Sequence, residues 1–391
     1  MQDLKVLYIT SWFPLKNAPN RCVFFREQIV LISKSLNVSI LEVETVPIFK
    51  IKKIFAKNSL KVEKQGNYNI YRIQIYRVPP KRMKLRNKYL NKVVCVNYKK
   101  VILKEQKFDL IHVHAMWPGG LFGYFISKKF GLPMVVTEHA SYLESLFRKE
   151  SYKSNIEKIV NQTLQFFAVG SKLKKMFSNF NIDNCDVIPN FINFEKFTYI
   201  RKRTSNDDVF SLAIIGNINS KIKGPDVILK ALNKVVNEYN CKSIVLNVVG
   251  TKRLDDEFIE YIAKNNLDHN VKLQGYIPND ALPEFLSNMD ALVISSRKET
   301  FSIAGIEAMA TGIPVVSTRC GGPEDYIIDG FNGYLVDNEN YEELAKSICK
   351  IIQEYDKFDL PEIKKHAYNN YSHDAVIPKQ LEYYNNILSK E

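Results

Sequence analysis

Two glutamates, Glu299 and Glu307, stand eight positions apart within the segment SSRKETFSIAGIEAMATGIPVVSTRCGGPEDYIIDGFNGYLV. Ionised carboxylates are acceptor-only groups that hold neutral hydroxyls strongly and directionally, so the pair suits a hydroxyl-rich ligand. A buried-strand pattern ends near Ser295–Ser296, and Ser302 then suits the N-cap of a helix that stops at Gly312 before Pro314. The first turn of that helix, Ser302, Ile303, Ala304 and Gly305, carries no charge. Its free amides and the positive end of the helix dipole fit a diphosphate. Glu307, one turn further in, can accept from a vicinal diol such as a ribose, and Glu299 in the loop can accept from sugar hydroxyls. A lone helical glutamate is usually a solvated surface group. Two of them flanking an uncharged helix start, after a buried strand and before GGPE, make a stronger pattern.

A second cluster is cationic. The loop after FSLAIIGN reads Gly216–Asn217–Ile218–Asn219–Ser220–Lys221–Ile222–Lys223 and runs into the Gly224–Pro225–Asp226 helix start, a setting that suits phosphate neutralisation. Histidines form the third set. His139 closes the strand-like run PMVVTEH, on the edge of a parallel sheet where ligands bind. His112 and His114 share a strand face in LIHVHAMWPGG, but no carboxylate or cysteine stands at a telling spacing, so no metal site is expected. The six cysteines are scattered without a CxxC pair and read as free thiols.

These residues need strands and helices to place them. Strand-like runs alternate with helical ones along most of the 391 residues, which predicts α/β architecture with parallel sheets in two domains. Strands are expected at LKVLYIT, NVSILEV, DLIHVHA, PMVVTEH and FFAVGS, then at FSLAIIGN, SIVLNVVG, VKLQGYI, DALVISS and IPVVSTRC. The expected organisation is an N-terminal Rossmann-like domain over residues 1–190, a linker over 191–208, a C-terminal Rossmann-like domain over 209–372 and a closing helix over 373–391. No apolar run reaches the roughly 20 residues that cross a bilayer. The chain opens on a strand-like segment rather than a leader, so a cytoplasmic protein is expected. The net charge is +13, with the excess around Lys50–Lys57 and Arg77–Lys107. That suits a solvated face or an anionic membrane surface. No nucleic-acid-binding pattern accompanies it.

The Glu299–Glu307 segment resembles the EX7E signature of family-4 retaining glycosyltransferases, which have the GT-B fold of two Rossmann-like domains facing a central cleft. Gly312, Pro314, Gly321, Gly322, Glu324, Asn332 and Gly333 fall on the family's downstream pattern. The resemblance covers most of the chain. It implies a nucleoside diphosphate sugar as donor (UDP- or GDP-linked), no further cofactor, and metal-independent transfer with retention. It assigns the donor sugar to Glu299, the ribose to Glu307 and the diphosphate to Lys223. Donor contacts are further expected at Gly216, Asn217, Lys221, Gln274, Tyr276, Ile277, Thr300, Phe301 and Ser302. His139 is expected beside the transferred sugar, which places it with Lys223 and Glu299 as catalytic. His114 and Arg26 are expected on the acceptor side. Two departures stand out: Asn217 replaces the family's arginine, with Lys221 as a substitute charge, and Cys22 replaces a glycine before the helix carrying Arg26. The implied acceptor is a glycan or lipid-linked glycan in bacterial surface-polysaccharide assembly. The rival readings are another GT-B enzyme, such as a nucleotide-sugar epimerase or glycan phosphorylase, and a non-catalytic platform.

Overall fold

The structure, a computed structural model, describes residues 4–11, 22–47, 57–78, 83–198 and 208–390. The loop holding Arg21, most of the Lys50–Lys57 stretch and linker residues 199–207 lie outside the described residues. The chain divides into two compact units, Met1–Pro189 with Ile377–Glu391, and Asn190–Val376.

The first unit is built on eight strands: β1 (Lys5–Thr10), β2 (Asn37–Pro47), β3 (Ser59–Gln65), β4 (Tyr68–Val78), β5 (Leu110–His114), β6 (Met134–Glu138), β7 (Gln165–Ala168) and β8 (Cys185–Val187). Their order is β3-β4-β2-β1-β5-β6-β7-β8, parallel throughout except for the antiparallel β3–β4 pair. Strands β5 and β6 are buried along their whole length, as strands of a parallel sheet covered on both faces should be, and they bury His112, His114, Thr137 and Glu138 with their apolar residues. The β3–β4 hairpin is absent from the expected strands. Its signal is the weaker period of two: Tyr71, Ile73 and Ile75 are buried while Arg72 and Gln74 between them are half-exposed. Strand β3 sits at the sheet edge with Lys61, Glu63 and Lys64, charges that discourage further strand pairing.

The second basic stretch forms the helix Met83–Asn97, continued by a π-helical turn at Tyr98–Ile102. It buries Leu90, Val94, Cys95, Tyr98 and Ile102, and exposes Lys84, Leu85, Lys88, Lys92, Val96, Lys99 and Lys100. Among the described residues no helix is long and apolar enough to cross a membrane.

The closing helix His373–Leu388 contributes its later turns to the first unit through a buried polar cluster. The Tyr384 hydroxyl meets His112 Nδ1, the Gln380 amide and, at 2.9 Å, the Tyr8 hydroxyl, while His112 Nε2 lies 2.6 Å from Thr137 Oγ1. Tyr384→Phe keeps the ring and removes the shared hydroxyl, while Gln380 Nε2 stays within 3.1 Å of the Tyr8 hydroxyl and 3.2 Å of His112 Nδ1. The expected loss is about 0.5–1.5 kcal/mol, read as a lower urea midpoint at unchanged m-value.

The second unit holds six parallel strands: β9 (Phe210–Ile215), β10 (Ile244–Val249), β11 (Val271–Gly275), β12 (Ala291–Ile294), β13 (Val315–Thr318) and β14 (Gly333–Val336). The order β11-β10-β9-β12-β13-β14 is doubly wound. It reverses direction between β9 and β12, and ligands of open α/β sheets bind beyond the strand ends at such a reversal.

Candidate active site

The chains leaving β9 and β12 meet at that reversal. After β9 the backbone turns at Gly216, whose φ of +138° suits glycine, and passes through a 3₁₀ turn at Lys221–Lys223. A left-handed Gly224 then opens the helix Pro225–Asn233. The Lys223 stem lies over Gly216, its Cε 3.2 Å from where a Cβ would stand. The ammonium reaches across to β12's exit, where Nζ lies 2.7 Å from Glu299 Oε1. Ser296 Oγ donates to the same oxygen at 2.8 Å. Glu299 itself is fixed by its backbone: its N–H donates to Cys320 O at 2.8 Å and its carbonyl accepts from Gly322 N–H at 3.2 Å.

The turn is tied to β12 from behind. Ser295 Oγ donates to Lys223 O at 2.8 Å, and Arg297 N–H donates to Ile222 O at 2.7 Å. The Arg297 guanidinium donates to Lys221 O (2.7 Å), Asp226 Oδ2 (2.8 Å) and Glu339 Oε1 (2.5 Å). Partial burial pushes the Asp226 carboxyl up, but the Arg297 guanidinium outweighs it and holds the group below its usual range.

The helix Ile303–Ala310 starts beside this pair. Ser302 occupies its N-cap position, but in a left-handed conformation (φ +65°) and without a capping hydrogen bond from its side chain. The expected serine cap is therefore not made. Instead the Tyr326 hydroxyl, kept protonated by burial, donates to Ser302 O at 3.2 Å. That contact holds the reversed backbone and leaves the first-turn amides uncapped by Ser302. Gly305 is required under Tyr326, since a Cβ there would lie 2.1 Å from the phenol oxygen.

Gly216, Lys223, Ser295, Ser296, Glu299, Ser302 and Ala304 line one pocket. Of the expected donor residues, Gly216, Lys223, Glu299 and Ser302 are brought together there. Glu307 and Thr300 are half-buried and Phe301 is buried, none of them on the pocket wall. Asn217 and Lys221 are exposed, and among the described residues Lys221 forms no ion pair. Gln274 ends near Asn247, donating to its Oδ1 at 2.7 Å, while Tyr276 and Ile277 follow the end of β11 in a loop. Sequence reasoning missed Arg297, Ser296 and Tyr326. Only Arg297 left a signal, a charge set between a buried strand and Glu299.

In the first unit, adjacent strands β5 and β6 bring His114 Nδ1 to 3.1 Å from His139 Nε2. Burial pulls the His114 pKa down to about 3, so its imidazole is neutral at neutral pH. The helix Val23–Ile32 turns Phe25 edge-on to both rings, at 5.2 and 4.8 Å between centroids. Arg26 beside it is exposed.

Glu138, wholly buried, fixes the loop at His139. Its carboxyl accepts backbone N–H groups from Met116 (2.8 Å), His139 (2.8 Å) and Ala140 (2.6 Å). Burial raises its pKa from 4.5 to about 7 against the pull of those donors. The folded protein therefore binds this proton more tightly than the unfolded chain. The stabilisation is complete below pH 4.5 and is lost as the pH rises to about 7. A shift of this size corresponds to on the order of 3 kcal/mol. Urea unfolding at pH 5 and pH 8 should show the stability advantage of wild type over Glu138→Gln shrinking at the higher pH.

Residues 195–371 match the family model "Glycosyl transferases group 1" and residues 55–196 match "Glycosyltransferase Family 4". An uncharacterized glycosyltransferase of Methanocaldococcus jannaschii is 28% identical over 65% of this chain and 68% of its own length. A poly(ribitol-phosphate) alpha-N-acetylglucosaminyltransferase of Staphylococcus aureus is 24% identical over 75% of this chain, a match spanning 59% of that enzyme. The Anabaena protein HepE, solved in complex with UDP and glucose, superposes with a TM-score of 0.71 at 16% identity, covering 97% of this chain and 99% of its own. At that identity the likeness shows the fold, which is GT-B. The chain belongs to the group 1, family 4 glycosyltransferases.

Proposed function

We propose that this protein transfers a sugar from a UDP- or GDP-linked donor to an acceptor hydroxyl with retention at the anomeric carbon. The observation that carries the reading is the Lys223–Glu299 pair beside an uncapped helix start, at the reversal point of the second sheet. In this reading the diphosphate takes Lys223 and the first-turn amides of Ile303–Ala310. Their fixed positive charge offsets the charge that develops as the nucleotide leaves, which supports departure without a metal ion. Glu299 turns its remaining acceptor capacity to the sugar hydroxyls. Both carboxylates of the signature belong to donor binding, since a hydrolytic pair would have to flank the glycosidic bond. Glu307 takes the ribose. For His139, whose Nε2 lies 3.1 Å from His114 Nδ1, the role in this reading is to orient a hydroxyl of the transferred sugar.

The acceptor in this reading is a lipid-linked glycan of bacterial surface-polysaccharide assembly, and the protein works peripherally at an anionic membrane. The exposed lysines of Met83–Asn97, with Leu85 and Val96 among them, support that placement. The test is acceptor-dependent release of nucleoside diphosphate, with proton NMR of the new anomeric centre. Retention supports the proposal. Donor isomerisation without acceptor, or dependence on inorganic phosphate, would replace it with an epimerase or phosphorylase.

A further inference from the structure

The candidate phosphate-binding turn lacks the family's arginine, yet an arginine lies directly behind it. Each guanidinium nitrogen of Arg297 has a partner: one terminal nitrogen donates to Lys221 O, the other to Asp226, and Nε to Glu339. Its backbone N–H holds Ile222 O, and its own carbonyl accepts from Asn338 Nδ2 at 2.8 Å. Two carboxylates neutralise its charge and occupy its donors on two sides, so Arg297 is a poor substitute phosphate ligand. It grips instead the two residues before Lys223 and the first turn after it. A planar fork of donors in fixed geometry can hold a carbonyl and two carboxylates at once, which an ammonium cannot do with the same directionality. Because Arg297 precedes Glu299 by two residues, the turn bearing the lysine and the loop bearing the glutamate become one rigid piece.

We propose that Arg297 is the positioning residue that aims Lys223 at the donor diphosphate, a role that rests on the donor-site reading above. It works by holding the turn in place, so the exposed Lys221 is not required to supply the missing charge.

The test is a double-mutant cycle read by calorimetric titration with the nucleoside diphosphate and, separately, with the matching nucleoside. Arg297→Gln should weaken diphosphate binding about tenfold, a loss of roughly 1.4 kcal/mol, and leave nucleoside binding unchanged. On a Lys223→Ala background the same substitution should cost nothing further, because the group it aims is gone. Asp226→Asn removes one anchor and serves if Arg297→Gln does not fold. About a threefold loss is expected from it, again absent on the Lys223→Ala background. Diphosphate affinity within twofold of wild type, or a full loss persisting without Lys223, overturns the inference. A wild-type protein that binds no nucleoside diphosphate overturns the donor-site reading itself, which keeps the two failures apart.

Discussion

Lys223→Ala is expected to lower glycosyl transfer by about 10²–10³-fold, the usual cost of removing one fixed charge or donor from a developing anion. The ammonium is the cationic group that the pocket brings within hydrogen-bond reach of Glu299, at 2.7 Å. Its stem is already packed over Gly216, so little reorganisation precedes binding. Removal also leaves Glu299 Oε1 to the Ser296 hydroxyl, which donates to it at 2.8 Å. Glu299→Gln keeps the shape and one acceptor while losing the charge, so its loss should be smaller, about 10-fold to 100-fold. The double variant should fall well short of the product of the two, because the residues are in contact. Steady-state release of nucleoside diphosphate measures all three.

Gly224→Ala should have a large effect on stability. Gly224 sits at φ +62°, where a residue with a Cβ loses about 1–2 kcal/mol. The added Cβ would also stand 2.0 Å from Ser295 O, a backbone atom at the end of β12 that cannot rotate aside. Together these should cost more than about 3 kcal/mol, beyond the range of ordinary substitutions. Gly330→Ala is the internal control, since Gly330 has φ +79° but nothing within 4 Å of the added carbon. Its cost should stay near the conformational component alone. Because the strained turn also carries Lys223, any Gly224→Ala protein that folds should bind a nucleoside diphosphate poorly.

The parts of this molecule most legible in sequence are those whose environment is uniform. Strands β5, β6, β12 and β13 are buried along their whole length, and the apolar residues of LIHVH, MVVTE, ALVI and VVST mark them in the sequence. The β3–β4 hairpin and β14 escaped that test, the first for its charged alternation and the second because Gly333 opens it and Leu335 is half-exposed. Glu299 and Lys223 were legible because a glutamate after a buried strand and a lysine before a glycine-opened helix each carry local meaning. Their pairing was not, since 76 positions separate them and only the strand order joins them. Arg297 was overlooked for the same reason: its partners Asp226 and Glu339 lie 71 and 42 positions away. Ser302 was misread as a side-chain cap because Tyr326, 24 positions on, decides its backbone. Local chemistry marks which residues can act; the order of the strands decides which of them act together.

The central claim, that Lys223, Glu299 and the start of Ile303–Ala310 form a nucleotide-sugar donor site, is tested most directly by thermal shift. Wild type and Lys223→Ala would each be titrated with UDP, GDP, ADP, CMP and their common sugars. The account predicts that one nucleoside diphosphate and its sugar raise the wild-type melting temperature in a saturable way. The stabilisation should approach ~2.7 kcal/mol at a hundredfold excess over Kd, and Lys223→Ala should lose most of it. Wild type left unmoved by every nucleotide, while a control ligand moves its own protein, would contradict the account; so would a shift that survives intact in Lys223→Ala.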